Sequence, residues 1–181
     1  MNLQSDDFEL FDVPRRHAQD VQALQARWKA LQREAHPDRF ASQGAAARRV
    51  AMQWSVRINE AWQRLRDPLR RAAYLCELRG APVDVHGNTK MPPEFLVRQM
   101  QWHEQLDEAR TVADCDALAR ELAAERDSLL ARCAQLLDEQ DDPIAAAAQV
   151  RALMFIERLQ ASVQDRRDAC ADAGADASGG E

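Results

Sequence analysis

Apolar residues recur at three- and four-residue steps in one stretch after another, which predicts an all-α fold. Val21, Leu24, Trp28, Leu31 and Ala35 share one face of a helix. Ala51, Trp54, Ile58, Ala61 and Leu65 share one face of the next. Between them stands His36-Pro37-Asp38. A residue that precedes proline is pushed out of the α region, so the first of these helices should stop at about His36. That leaves an antiparallel hairpin with His36 and Asp38 on an exposed turn, free to touch a partner. An ordinary helix-ending proline with polar neighbours would look the same by itself.

The other elements follow from caps and breakers. Asp6 to Phe11 makes a short helix ended by Pro14, with Phe8 and Phe11 placed to pack on the hairpin. Asp20 is the N-cap of the hairpin's first helix. A loop from Arg39 to Gly44 carries Phe40, and the second hairpin helix runs from Ala45 to Arg66. Asp67 then caps a helix whose first residue is Pro68, where a missing N–H costs nothing. Leu69, Ala72, Ala73 and Cys76 give it an apolar stripe, and Gly80 stops it. The stretch APVDVHGNTKMPP is rich in proline, glycine and polar residues and marks the interior boundary. The expected division is an N-terminal domain over 1–80, a linker over 81–92 containing an exposed His86, and a C-terminal bundle over 93–171. Residues 172–181 have nothing to bury and should be disordered. Within the bundle, helices over 93–110, 113–139 and 143–170 have short connections, which favours an antiparallel three-helix bundle.

Composition narrows the function. No apolar run is long enough to span a membrane, and the acidic start MNLQSDDFELF lacks the basic and apolar regions of a signal peptide, so a cytoplasmic protein without membrane contact is expected. The four cysteines are scattered and form no CxxC, which points to reduced thiols rather than a disulfide framework or zinc site. Net charge is −6, unevenly divided. Asp7 to Arg79 holds 14 Lys/Arg and 9 Asp/Glu (+5), and the remaining residues hold 10 and 21 (−11). Two modules meeting different partners would be charged in this way. The tryptophans fall on core-spaced positions rather than on a basic stripe, so no nucleic-acid partner is expected. Enzyme readings lack their residues. No Glu-x-x-His pair, no glycine-rich phosphate loop and no metal-ligand spacing among His17, His36, His86 and His103 occurs, and His103 beside Glu104 reads as a surface pair. Neither a catalytic site, a metal nor a cofactor is expected.

The first helix of the bundle carries two stripes. Phe95, Trp102 and Leu106 make a core face. Leu96, Val97, Met100, Glu104 and Glu108 lie roughly opposite, either as part of a broad buried stripe edged by surface glutamates or as an adaptable binding surface. On the last helix Ala152, Ile156, Leu159 and Val163 form the core stripe, with Phe155 about a quarter-turn off its centre, where it could stay partly exposed.

DDFELFDVP, the basic helix ending in HPDRF, and RINEAWQRLRDPLRRAAYL together resemble the J-domain, the module that stimulates ATP hydrolysis by DnaK-type chaperones. The resemblance covers residues 1–79. The short opening, the insert-free turn and LRDPLRRAAYLCELRG look like the HscB family of iron–sulfur cluster assembly co-chaperones. That resemblance implies a J-domain followed by a helical C-terminal bundle. It implies that Lys29, Arg33, His36, Pro37 and Asp38 engage a chaperone such as HscA, although Lys29 and Arg33 alone would read as a solvated charged face. It also implies that Leu96, Val97, Met100, Gln101, Glu104, Glu108 and Phe155 hold the scaffold protein IscU. Val97 and Gln101 depart from the family pattern, which favours a larger methionine and an acid at those two positions. The competing readings are a general J-protein for unfolded clients, against which the chain lacks a glycine/phenylalanine-rich linker and cysteine-rich repeats, and a helical structural or nucleic-acid protein.

Overall fold

The computed structural model describes residues 5–83 and 93–178. Among them are seven α-helices and no strand: α1 Asp7–Phe11, α2 Val21–Glu34, α3 Ala45–Arg66, α4 Pro68–Leu78, α5 Pro93–Glu108, α6 Val112–Asp138 and α7 Pro143–Ser178. An N-terminal hairpin lobe of the J type is followed by a helical lobe built from α5, α6 and α7. The boundary expected over 81–92 falls mostly on 84–92, outside the described residues, and so does His86.

Side-chain caps set most helix starts. Asp6 accepts from the Glu9 N–H at 2.9 Å, Asp20 from Gln22 and Ala23, and Asp67 from Arg70 at 3.0 Å. Each satisfies a backbone donor that has no partner within the helix. At α6 the Thr111 hydroxyl and the Asp114 carboxylate form a reciprocal capping box. Pro37 does more than stop α2. Its fixed φ suits a tight turn, and Pro37–Gln43 coils into a 3-10 helix where an irregular loop was expected. Gly44, at φ 92°, then reverses the chain into α3.

The hairpin buries Leu24, Leu31, Ile58 and Leu65 against Phe8 and Phe11, all with essentially no exposure. Val21, expected on that stripe, sits at the first helical position and stays half exposed. Trp28 stacks on Trp62, and the Asn59 carbonyl oxygen accepts from both the Trp28 indole N–H (3.0 Å) and Gln32 (2.7 Å), which pins the register of α2 on α3. Beneath α1 lies a charge cluster. The fully buried Asp7 carboxylate meets Arg57 and Arg64, each at 2.6 Å, while its backbone N–H donates to the Tyr74 hydroxyl.

The two lobes share one core, because the cluster of buried residues runs without a break from Phe8 to Val163. The junction is α4, packed on α3 and also on α6 and α7. A polar clasp closes it. The Asp138 carboxylate, at the end of α6, accepts the backbone N–H groups of His17 (2.6 Å) and Ala18 (2.8 Å). Arg79 donates to the Leu137 carbonyl, to Asp141 and to the Arg15 carbonyl. The last helix departs from expectation. α7 runs on to Ser178, where residues 172–178 were expected to belong to a disordered tail.

Two predictions follow from these buried groups. Asp7→Asn leaves two guanidiniums facing each other without their counter-charge. Since Arg64 is partly exposed, the cost should lie at the lower end of the buried-pair range, about 3 kcal/mol by urea denaturation. A loss under about 1 kcal/mol would mean that the arginines escape to water. His17 is buried, with its Nε2 against the Pro68 carbonyl at 3.1 Å. Burial, then the charge of Arg71, holds its pKa below 6.5, against the opposing pull of Pro68 and Asp138. The unfolded chain therefore takes up this proton first, and stability should fall as pH drops below 6.5 toward the lower folded value. Paired urea titrations above and below that value should show a shallower decline in His17→Gln. Equal slopes in the two proteins would contradict this account.

Candidate functional site

The His36-Pro37-Asp38 turn stands at the open end of the hairpin. α2 ends with Glu34, and Ala35, buried, anchors the chain just before the turn. His36 adopts an extended backbone, as a residue before proline must, and its Nδ1 accepts the Asp38 N–H at 3.3 Å. The Asp38 carboxylate lies 3.5 Å from the same Nδ1 and stays open to solvent, with a side chain 90% exposed against 57% for His36. Arg39 ties the turn back to the Arg33 carbonyl at 3.3 Å. Lys29 and Arg33 are both exposed on α2, one turn apart. The turn therefore presents a carboxylate on a stiff backbone, with two cations along the adjoining helix. Beside it, Phe40, Val50 and Trp54 line an apolar groove between the 3-10 helix and α3, which the helical periodicity gave no means of finding.

The second surface lies on α5. Phe95 and Trp102 are buried as its core face, and the Trp102 indole donates to Glu121 at 2.7 Å. Arg98 caps the indole at 4.8 Å and pairs with Glu125. The opposite sector is not a broad buried stripe: Leu96 is 46% exposed, Val97 55% and Met100 73%. Gln101, Glu104 and Glu108 are exposed as well. Phe155 of α7 is half-buried and packs edge-on to Phe95 and to His103, and face-on to Trp102, at centroid distances of 5.7–6.5 Å. Helical geometry puts His103 on the side of α5 between the aromatic cluster and the exposed Leu96 and Met100. Gln101 and Glu108 lie farther round α5, away from Phe155. His103 was read as a surface partner of Glu104, and only the packing of α7 on α5 shows that its ring extends the aromatic cluster.

No group of three or more His, Cys, Asp or Glu among the described residues could hold a metal ion. No described helix is long and apolar enough to cross a membrane.

Residues 91–164 match the family described as the HSCB C-terminal oligomerisation domain. A protein named co-chaperone protein HscB homolog, from Burkholderia thailandensis, is 48% identical over 90% of this chain and 94% of its own length. The solved structure of chaperone HscB from Vibrio cholerae is similar over 92% of this chain and 99% of its own, with a TM-score of 0.76 and 34% identity. Human co-chaperone protein HscB is similar over 91% of this chain and 83% of its own, with a TM-score of 0.85 and 26% identity.

Proposed function

Because the chain belongs to the HscB family of co-chaperones, we propose that it stimulates the ATPase of a specialised DnaK-type chaperone, HscA, and delivers the iron–sulfur scaffold IscU to it. The observation that carries the reading is the outward Leu96–Met100 surface on α5, joined through a shared core to a lobe that displays the His-Pro-Asp turn. A J-domain alone needs no such second surface. In this reading 1–80 is the chaperone-binding lobe and 93–171 the scaffold-binding lobe. His36, Pro37 and Asp38 dock on the chaperone, and Lys29 and Arg33 steer the approach. No group in this chain has to act on ATP. The co-chaperone speeds hydrolysis by binding one conformation of its partner better than the others, which shifts that equilibrium.

Asp38→Asn should keep its fold, since a substitution this exposed moves stability by less than about 0.5 kcal/mol, and should lose stimulation of the HscA ATPase. Stimulation that survives in the folded variant would remove the turn from the mechanism. Lys29→Ala/Arg33→Ala should weaken stimulation at subsaturating co-chaperone and flatten its decline with added salt. An unchanged salt response would return both residues to the role of solvated surface.

The scaffold surface is tested by calorimetric titration of IscU. Leu96→Ala/Met100→Ala removes two exposed side chains without touching the aromatic cluster, and should weaken IscU binding by at least tenfold while basal stimulation of HscA persists. Adding Phe155→Ala should weaken it further, with circular dichroism checking the fold because this ring is packed on three others. Glu104→Ala/Glu108→Ala should mainly slow association. Equal IscU affinity in the folded double variant and the wild type would favour a general J-protein for unfolded clients.

A further inference from the structure

The apolar groove beside the turn lies between the 3-10 helix Pro37–Gln43 and α3, with a volume of about 420 Å³. Phe40 forms one wall. Ala47, Val50, Ala51 and Trp54, at three- and four-residue steps along α3, form the other. Ala51 is buried at its floor, Phe40 and Trp54 are half-buried, and Val50, at its open edge, is 50% exposed. Its polar lining side chains, Glu34 and Gln43, are both exposed rather than converging on the interior. The groove therefore suits an apolar side chain and not a polar small molecule. Two features identify what fills it. The first is continuity with the turn: Ala35, which lines the groove, directly precedes His36, and Phe40 follows Asp38 by two residues on the same 3-10 helix. A partner that meets Asp38 comes within side-chain reach of the groove. The second is charge. Arg39 adjoins Phe40, and Arg48 and Arg49 fall on either flank of the Ala47–Trp54 stripe, all three exposed. They carry the basic surface of Lys29 and Arg33 past the turn and around the groove.

We propose that this groove is a second docking point for the DnaK-type chaperone and takes one apolar side chain that projects from an acidic surface of that partner. The proposal rests on the reading that the His36-Pro37-Asp38 turn engages the chaperone. An apolar centre inside a charged rim is the usual anatomy of a protein interface, and a basic rim selects an acidic surround on the other side. The two contacts divide the work. Asp38 makes the charged contact on which stimulation depends, while the groove adds affinity by burying an apolar anchor. Removing the anchor should therefore change how much co-chaperone is needed and not how far the ATPase can be driven.

The test is the ATPase of purified HscA, titrated with the full-length co-chaperone and its variants. Val50→Glu alters an exposed side chain and should melt like the wild type. It sets a carboxylate at the groove's edge against an acidic partner, and should raise the concentration for half-maximal stimulation by about tenfold. Stimulation at saturation and affinity for IscU should stay as in the wild type. Val50→Lys should cost less than Val50→Glu, and Val50→Met should titrate as the wild type does. A photoreactive benzoylphenylalanine at position 50 should cross-link to HscA, with peptide mapping placing the bond on an apolar residue among acids. Identical titrations of the wild type and Val50→Glu, with Asp38→Asn still inactive, would overturn the groove and leave the turn standing. Equal losses in Val50→Lys and Val50→Glu would overturn the acidic partner. A cross-link to a second co-chaperone chain or to IscU in place of HscA would overturn the assignment of the groove to the chaperone. Wild-type protein that fails to stimulate HscA at any concentration would overturn the functional reading, and this proposal with it.

Discussion

The fold depends on the burial of α4 from more than one direction. Leu69, Arg71, Ala72, Leu75 and Cys76 are all buried within these eleven residues. On a helical wheel they span an arc of roughly 160°, wider than the stripe of a helix that covers a single neighbour. One face of α4 completes the hairpin lobe, and the rest of the arc is enclosed by α6 and α7. The helix that closes the J-type lobe is therefore also part of the bundle's core. Neither lobe can rotate about α4 without exposing apolar surface that the other now covers.

The hairpin was legible because its apolar period, its aspartate caps and its prolines all point the same way. α3 begins and ends at the expected residues, and α2 ends at Glu34, with Ala35 as its C-cap and His36 already extended ahead of Pro37. Distant pairings carry no local signal. Asp7, in the first turn of α1, reads as an ordinary N-terminal acid beside the helix dipole. Its actual role, a buried counter-charge to two arginines on α3, needs residues fifty or more positions away. Asp138 is a parallel case, since nothing near it in sequence announces that its carboxylate holds the backbone at His17 and Ala18.

In the C-terminal lobe, periodicity located both sectors of α5 but could not say which were covered. That question is settled by how much partner surface is available. α6 and α7 pack mainly on each other, so α5 meets them along one narrow face and its Leu96–Met100 sector is left facing solvent. The end of α7 shows the opposite limit of pattern reading. A stretch without an apolar stripe gives no periodic signal, yet further turns can add to a long packed helix that already supplies the nucleus.

Magnitudes separate what holds the lobes together from what orients them. The Arg79–Asp141 pair has a carboxylate that is 86% exposed, and pairs of that kind contribute at most about 1 kcal/mol. The two backbone bonds to Asp138 are stronger, at roughly 1.5–3 kcal/mol each for a charged acceptor shielded from solvent, but they act at a single point. Against these stand Leu69, Leu75, Leu136 and Leu137, none more than 4% exposed. Each contributes about 1.5–3 kcal/mol of apolar burial, and to separate the lobes would re-expose much of it at once. Apolar burial is non-directional, so by itself it would tolerate a range of lobe angles. The clasp requires two adjacent N–H groups to meet one carboxylate, and so selects one of them. The hydrophobic junction thus supplies the strength and Asp138 the angle, which fixes the position of the His36-Pro37-Asp38 turn relative to the exposed sector of α5.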